Sequence, residues 1–179
     1  SLWQDQRWRR KAVKLARVQP TDQVVDIACG TGDLTSAFAT AKPRSILGID
    51  FTFEMLPIAV HKSAQSGCRY VNGDALAIPL PDRSADVISI AFGIRNVQDV
   101  SAALREFTRV LRPGGRAIIL EFSLPTNRLL RGLYNFYFRQ VLPRTATLIS
   151  GDKTGAYKYL PQSVNTFIVG FTISDFNRM

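Results

Sequence analysis

Apolar and polar positions change rhythm repeatedly along this chain. Short β-branched and apolar runs, such as Val24-Val25-Asp26-Ile27, Ile46-Leu47-Gly48-Ile49 and Val87-Ile88-Ser89-Ile90, alternate with longer stretches of helical period. Short runs bounded by turn residues read as strands, and the 3.6-period stretches as helices. The pattern predicts a helix over 4–17, then strand 23–28, helix 33–41, strand 45–50, helix 53–66 and strand 69–73. A turn-rich segment, 79–84, leads to strand 86–91, helix 98–111 and strand 116–122. Arg112-Pro113-Gly114-Gly115 is a strong helix stop. Strands alternating with helices imply a doubly wound, mainly parallel sheet of the α/β class.

The first helix places Trp8, Ala12, Leu15 and Ala16 on one face and most of its basic residues opposite. A docked helix with a solvated face and a lipid-contacting helix both fit that pattern. After Pro125 the character changes. Residues 129–138 are apolar and aromatic with interleaved arginines, and residues 155–168 repeat the theme. These two stretches read as a helical cap inserted over the strand ends, lining a pocket for an apolar substrate. Ordinary packing between cap helices would also account for most of these residues.

One domain is expected: an N-terminal helix over 1–20, a binding core over 21–123 and a cap over 124–172. The chain opens on Ser1 within a helix approach and stops at Met179, where a capped helix is just starting. The five expected strands are fewer than the seven common in sheets of this kind. The sequence therefore reads as lacking its last strands.

Composition narrows the class. The 179 residues are 46% hydrophobic and 21% charged, ordinary for a globular domain with a sizeable core. Two cysteines, Cys29 and Cys68, are too few for a disulfide framework and suit a reducing, cytoplasmic setting. No apolar run reaches the roughly 18 residues of a membrane span, and no signal peptide is recognisable. The net charge of +9 sits at two flanks. Residues 1–17 carry six basic groups against Asp5, and residues 124–160 six against Asp152. The stretch between them is close to neutral. Basic flanks suit an anionic membrane surface or nucleic acid.

Candidate chemistry centres on residues 24–33, where strand, glycine loop (Gly30-Thr31-Gly32) and helix start follow one another. This is how α/β sheets hold nucleotide-like ligands. The dinucleotide fingerprint needs a third small residue three positions after the second glycine; that position is Thr35. Asp33 stands where a pyrophosphate would meet the helix, and Asp26 adds a second negative charge. A cationic ligand with a ribose and no phosphate fits better, and S-adenosylmethionine is the obvious one. Asp50 ends the second strand, 18 positions after Gly32, where a carboxylate can accept from both ribose hydroxyls. Asp74, in Gly73-Asp74-Ala75 at the end of the third, can accept from an adenine amino group. The expected cofactor-binding set is Asp26, Gly30, Thr31, Gly32, Asp33, Asp50, Asp74 and Ala75, with no metal. Any one of these acids alone would pass for a solvated turn residue.

With these residues in hand, the chain resembles the ubiquinone/menaquinone biosynthesis C-methyltransferase family (UbiE/MenG). Ser1 to Arg9 looks like the end of the family's N-terminal signature, and Asp5 is closer to the menaquinone-type members. Asp26-Ile27-Ala28-Cys29-Gly30-Thr31-Gly32-Asp33 looks like its glycine loop, with cysteine in place of one glycine. Ala91-Phe92-Gly93-Ile94-Arg95-Asn96-Val97, Arg109 to Gly115 with Leu120-Glu121-Phe122-Ser123, and Gly155 to Ser163 look like three further signatures. Ala91 stands where the family has a serine, so only its backbone could contribute. The resemblance implies a class I, Rossmann-like methyltransferase that methylates a ring carbon of a polyprenylated demethylated quinol, with naphthoquinol and benzoquinol both open. It implies a lipophilic substrate, and together with the basic flanks 1–17 and 124–160 this leads us to expect a cytoplasmic protein held peripherally at the inner face of the membrane. It leaves a homodimer, or an assembly with other quinone-biosynthesis enzymes, open.

In that chemistry the ring carbon gains nucleophilicity when an adjacent hydroxyl ionises. Arg95 and Asn96, just past strand 86–91, are the candidate catalytic residues: Arg95 to stabilise the phenolate, Asn96 to orient the ring or a water acting as base. A structural arginine paired with Asp99 or Glu121 is the competing account. His61 reads as a solvated helix residue. Two alternatives remain at this point: a methyltransferase acting on RNA or a small metabolite, and a non-catalytic membrane-binding module. The Asn/Asp-Pro-Pro-aromatic signature of amino-nitrogen methylases is absent, neither cysteine sits in a nucleophile loop, and no nucleic-acid partner is expected.

Overall fold

The computed structural model of the chain describes residues 2–121. The elements run α1 (Leu2–Ala16), β1 (Gln23–Ile27), α2 (Asp33–Ala39), β2 (Ser45–Asp50), α3 (Met55–Lys62), β3 (Arg69–Asn72), β4 (Ala85–Ala91), a 3-10 turn (Ile94–Asn96), α4 (Val100–Val110) and β5 (Leu111–Leu120). The five strands form one sheet in the order β3-β2-β1-β4-β5, and every pairing is parallel. The expected doubly wound α/β architecture is therefore the one observed. The helical cap expected over 124–172, the basic stretch 124–160 and Phe122 lie outside the described residues.

The central strands are near-continuous apolar runs because parallel sheets are covered on both faces. Val24, Ile46, Val87 and Ile118 project to one face, where they meet Leu34 and Phe38 of α2 and Ala12 and Ala16 of α1. Strand-to-strand crossovers are right-handed. β1–β2–β3 progresses one way across the sheet and β4–β5 the other, so α2 and α3 cover one face and α4 the opposite one. Ala103, Leu104, Phe107 and Val110 make the buried stripe of α4. Asp99 caps that helix by accepting the Ala102 amide at 2.9 Å. This cap sets the start of α4 at Val100, two residues later than the apolar period alone suggests.

Three expectations change. On α1 the buried face is Ala12 and Ala16, while Trp8 and Leu15 are 46% and 56% exposed. The two small side chains let the helix lie close to α2 and the sheet, and the Trp8 ring instead carries the Lys11 ammonium 5.2 Å from its centre. α3 is shorter than predicted, because Ser63 leaves helical geometry and its hydroxyl bonds back to the Ala59 carbonyl at 2.7 Å. The Pro113-Gly114-Gly115 stop is part of a strand: pairing jumps from Ala85↔Leu111 to Val87↔Arg116, and the intervening residues bulge out with Gly114 at φ +80°.

A buried carboxylate interrupts the apolar run of β1. Asp26 is 1% exposed near the end of β1. Its two oxygens accept from the hydroxyls of Thr35 on α2 and Ser89 on β4, both at 2.6 Å. Burial pushes this carboxyl up to about 6 from 3.8, and the two hydroxyls offset only part of that. The sign follows from proton linkage. Below about pH 4 the proton is held in both folded and unfolded chains. As pH rises through 6 the folded protein must bury an anion, and stability falls by up to about 3 kcal/mol. Asp26→Asn removes this dependence. Its urea midpoint relative to the wild type should therefore improve between pH 4 and pH 7.5; parallel profiles would show that Asp26 does not titrate in this range.

Candidate active site at the carboxyl ends of the strands

The sheet order reverses between β1 and β4, and a crevice opens at that point beyond the strand ends. Topological switch points of this kind are where open α/β sheets bind ligands. A cavity of about 430 Å³ occupies the crevice, with Ile27, Ala28 and Gly30 at the end of β1, Asp50 to Thr52 at the end of β2, Gly73 to Leu76 after β3 and Ala91 to Gly93 at the end of β4 in its wall. Its size lies within the roughly 300–1,000 Å³ of small-ligand sites.

The backbone turns sharply at both strands that flank the switch. Ala28 (φ +50°) and Phe92 (φ +55°) are non-glycine residues in the left-handed region, each directly after its strand. Both line the cavity. Such residues cost about 1–3 kcal/mol apiece and collect at functional sites. The two turns touch: a Cβ on Gly93 would sit 2.6 Å from the Ala28 methyl.

Asp50 ties the loops together. Its Oδ2 accepts the Gly30 amide at 2.7 Å, and its Oδ1 accepts the Thr52 amide at 2.8 Å. Its carbonyl accepts the Gly73 amide at 3.0 Å and the Asn72 Nδ2 at 2.8 Å. Asp74 accepts the Leu76 amide at 2.9 Å through Oδ1. Each carboxylate keeps acceptor capacity after these bonds. Among the described residues the lining holds these two carboxylates and no lysine or arginine. It suits a ligand rich in hydroxyl and amino donors and disfavours a phosphate.

The structure brings four of the expected residues, Gly30, Asp50, Asp74 and Ala75, together around the cavity. Asp26, Thr31, Gly32 and Asp33 are not in its lining. Asp26 is committed to Thr35 and Ser89 in the core. Gly32 (φ +78°) is required for packing, since a Cβ there would lie 2.5 Å from the Tyr70 hydroxyl oxygen. Asp33 already faces two protein cations, Arg9 at 3.5 Å and Lys62, which also bonds Thr31 Oγ1 at 3.0 Å. The charge that suggested a cationic ligand is thus partly met by the protein itself.

Asn96 lines the cavity. Arg95, next to it on the same turn, forms an ion pair with Glu121, just past β5. Of the two partners the sequence offered for Arg95, Asp99 is occupied as the α4 cap. His61 is exposed on α3 and outside the lining. Burial, with Asp26 and Asp50 nearby, pushes the Cys29 thiol far up, which makes it inert as a nucleophile. Sequence reasoning missed Asn72, whose amide also donates to the Phe51 carbonyl at 2.9 Å, and the apolar wall of Phe51 and Met55. Asn72 directly before Gly73 was a turn signal that could have been read. A phenylalanine right after an acid at a strand end, Phe51, was another, and it is 76% exposed in the structure.

Residues 1–176 match the model of the ubiE/COQ5 methyltransferase family. The chain is 47% identical over 171 residues to the ubiquinone/menaquinone biosynthesis C-methyltransferase UbiE of Geobacter sulfurreducens, covering 91% of this chain and 65% of that protein. It is 45% identical over 170 residues to the demethylmenaquinone methyltransferase of Thermus thermophilus, covering 93% and 77%. Among solved structures, the YcgJ protein of Bacillus subtilis aligns with TM-score 0.64 at 28% identity, over 74% of this chain and 58% of that one. A SAM-dependent methyltransferase of Aquifex aeolicus shares the fold with TM-score 0.60 at 22% identity, over 67% and 66%.

The contact between the two strand-end turns gives a test of the site's construction. Gly93→Ala forces a methyl against Ala28, an overpacking cost of about 1–3 kcal/mol. The variant should melt lower than wild type, and pairing it with Ala28→Gly should recover most of the loss. A lone Gly93→Ala protein with unchanged melting would mean that the turns are not in contact.

Proposed function

The chain belongs to the ubiE/COQ5 methyltransferase family, and from that membership we propose that it transfers a methyl group from S-adenosylmethionine to a ring carbon of a demethylated, prenylated quinol. The observation that carries this reading is Asp50: a carboxylate fixed by two backbone amides at the mouth of the switch-point cavity, with lone pairs to spare. The residues present fit the ligand. Asp50 would hold the ribose hydroxyls, and Asp74 with Ala75 the adenine edge. The apolar wall of Phe51 and Met55 suits a flat ring. Gly30 would let the backbone approach closely.

S-adenosylmethionine, when bound, supplies a methyl group activated by a sulfonium that leaves as a neutral thioether. The chain's own residues then have two tasks, positioning the acceptor carbon and raising its nucleophilicity. Asn96, in the wall opposite Asp50's loop, orients the ring or a water that takes the hydroxyl proton. A guanidinium donates hydrogen bonds and accepts none, so Arg95, which is next to the lining residue Asn96 and not itself in the lining, suits stabilising a phenolate better than taking a proton. Its ion pair with Glu121 holds it beside Asn96. Relatives named for demethylmenaquinone and for ubiquinone/menaquinone biosynthesis support a lipophilic quinol as acceptor.

The test is methyl transfer from S-adenosylmethionine carrying a labelled methyl to reduced, short-chain demethylated naphthoquinol and benzoquinol. Label on a ring carbon of either supports the reading; label on oxygen, or none, overturns it. In the same preparation Asp50→Ala should weaken S-adenosylmethionine binding by about 2–3 kcal/mol, the scale of lost charge-assisted hydrogen bonds. Unchanged affinity by calorimetric titration would remove Asp50 from the site.

A lipophilic acceptor also bears on where the protein works. No helix among the described residues is long and apolar enough to cross a membrane. The reading extends to peripheral association with an anionic membrane, at its inner face, through the basic flanks 1–17 and 124–160. Co-sedimentation with vesicles should then require anionic lipid and weaken as salt is raised. Equal binding to neutral vesicles at high salt would assign it to something other than these charges.

A further inference from the structure

The turn that carries Arg95 and Asn96 is suspended between two fixed points. On one side Gly93 is pressed against Ala28, so the turn cannot move toward the glycine loop. On the other, the Phe92 amide donates to the Leu120 carbonyl at 2.7 Å, a main-chain link from the end of β4 to the end of β5. The next residue along, Glu121, is ion-paired to Arg95. The two side chains are only 8% and 12% exposed. Within the turn, the Asn96 amide bonds the Gly93 carbonyl at 3.0 Å and the Val97 amide the Ile94 carbonyl at 3.2 Å.

A buried ion pair adds little net stability, because desolvating both charges offsets most of their attraction. Breaking it is costly, because a buried charge is left alone. Its strength lies in fixing one geometry. Here the geometry fixed is the level of a short turn relative to the end of β5, and that turn supplies one wall of the cavity through Asn96. The fixed point sits at a strain already present, since Phe92 is held at φ +55° immediately before the turn.

We infer that Glu121 is a positioning residue for the transfer step: it holds Arg95, and through Arg95 the turn that carries Asn96 into the cavity. The rate arm of this inference rests on the quinol methylation proposed above; the conformational arm does not. The test uses the full natural chain with Glu121→Gln, Glu121→Asp and the double variant Arg95→Gln/Glu121→Gln, which removes both charges of the pair together if Glu121→Gln alone fails to fold.

In the conformational arm, hydrogen exchange is followed at the amides of Phe92, Asn96 and Val97 with S-adenosylmethionine bound. Glu121→Gln and the double variant should exchange at least about tenfold faster there, a shift of about 1.4 kcal/mol in opening, while the amides of β1 and β2 keep wild-type protection. In the rate arm, single-turnover methyl transfer should fall about 10²-fold, the scale of a misplacement of about 1 Å, with S-adenosylmethionine affinity unchanged. Glu121→Asp keeps the charge and should recover most of both effects. Wild-type protection at all three amides in Glu121→Gln, or in the double variant, would overturn the inference whatever the acceptor proves to be. Lost protection spread over the whole sheet would also overturn it, by reducing Glu121 to a general stabiliser. A wild-type protein that methylates no quinol would defeat the proposed function and leave the exchange result to decide on Glu121.

Discussion

The site depends on one carboxylate. Asp50 sits at the end of β2 with each oxygen accepting an amide from a different loop, Gly30 after β1 and Thr52 after β2. Its carbonyl receives Gly73 and Asn72 from the end of β3. Three strand ends are therefore held in register by a single residue. Charge-assisted bonds to backbone amides are about twice as strong as neutral ones. In the proposed function, ligand recognition and loop construction share this side chain, and its bonds to the loops are made without a ligand. A preformed acceptor of this kind spares a ligand the cost of ordering the loops.

The sheet supplies the rest. Reversal of strand order leaves a gap that no crossover helix fills, and the chain must leave β1 and β4 in opposite directions around it. Both exits use a left-handed residue that is not glycine, Ala28 and Phe92. Such conformations persist only where surrounding structure enforces them. Here the enforcement is visible: Cys29 donates its amide to the Ile49 carbonyl at 3.1 Å, Phe92 donates to Leu120, and Gly93 rests on Ala28. The strain lies in the backbone that forms the cavity wall. The buried Asp26, Thr35 and Ser89 cluster joins β1, β4 and α2 just below that wall, which keeps the switch point rigid.

How much of this was legible in the sequence follows from which forces are local. The strands were legible because burial on both faces leaves an almost unbroken apolar record, as in Val87 to Ile90. Gly30 and Asp50 were legible because a turn and an acid at a strand end leave marks in the residue type. Their mutual bond was not, since it depends on the pairing Ile27↔Ile49 that brings the two ends level. Asp26 lies buried between Thr35 and Ser89 and outside the cavity lining, a placement that the sequence does not reveal because it cannot tell which side of a strand end faces the cavity. The partner of Arg95 was also undecidable: Asp99 is nearer in the chain, but a helix cap consumes it, and Glu121 arrives only through the β4–β5 register. On α1, Trp8 follows the same stripe as Ala12, yet close approach favours the two alanines and leaves the indole outside.

The proposed function seats S-adenosylmethionine at the Asp50 clamp of the β1/β4 switch point. A crystal structure of the chain with S-adenosylhomocysteine bound tests it most directly. Both ribose hydroxyls should lie on the Asp50 carboxylate, with the adenine beside Asp74 and the Gly30 and Thr52 amides still bonded to Asp50. A ligand seated elsewhere on the sheet, or a ribose held without Asp50, would contradict it.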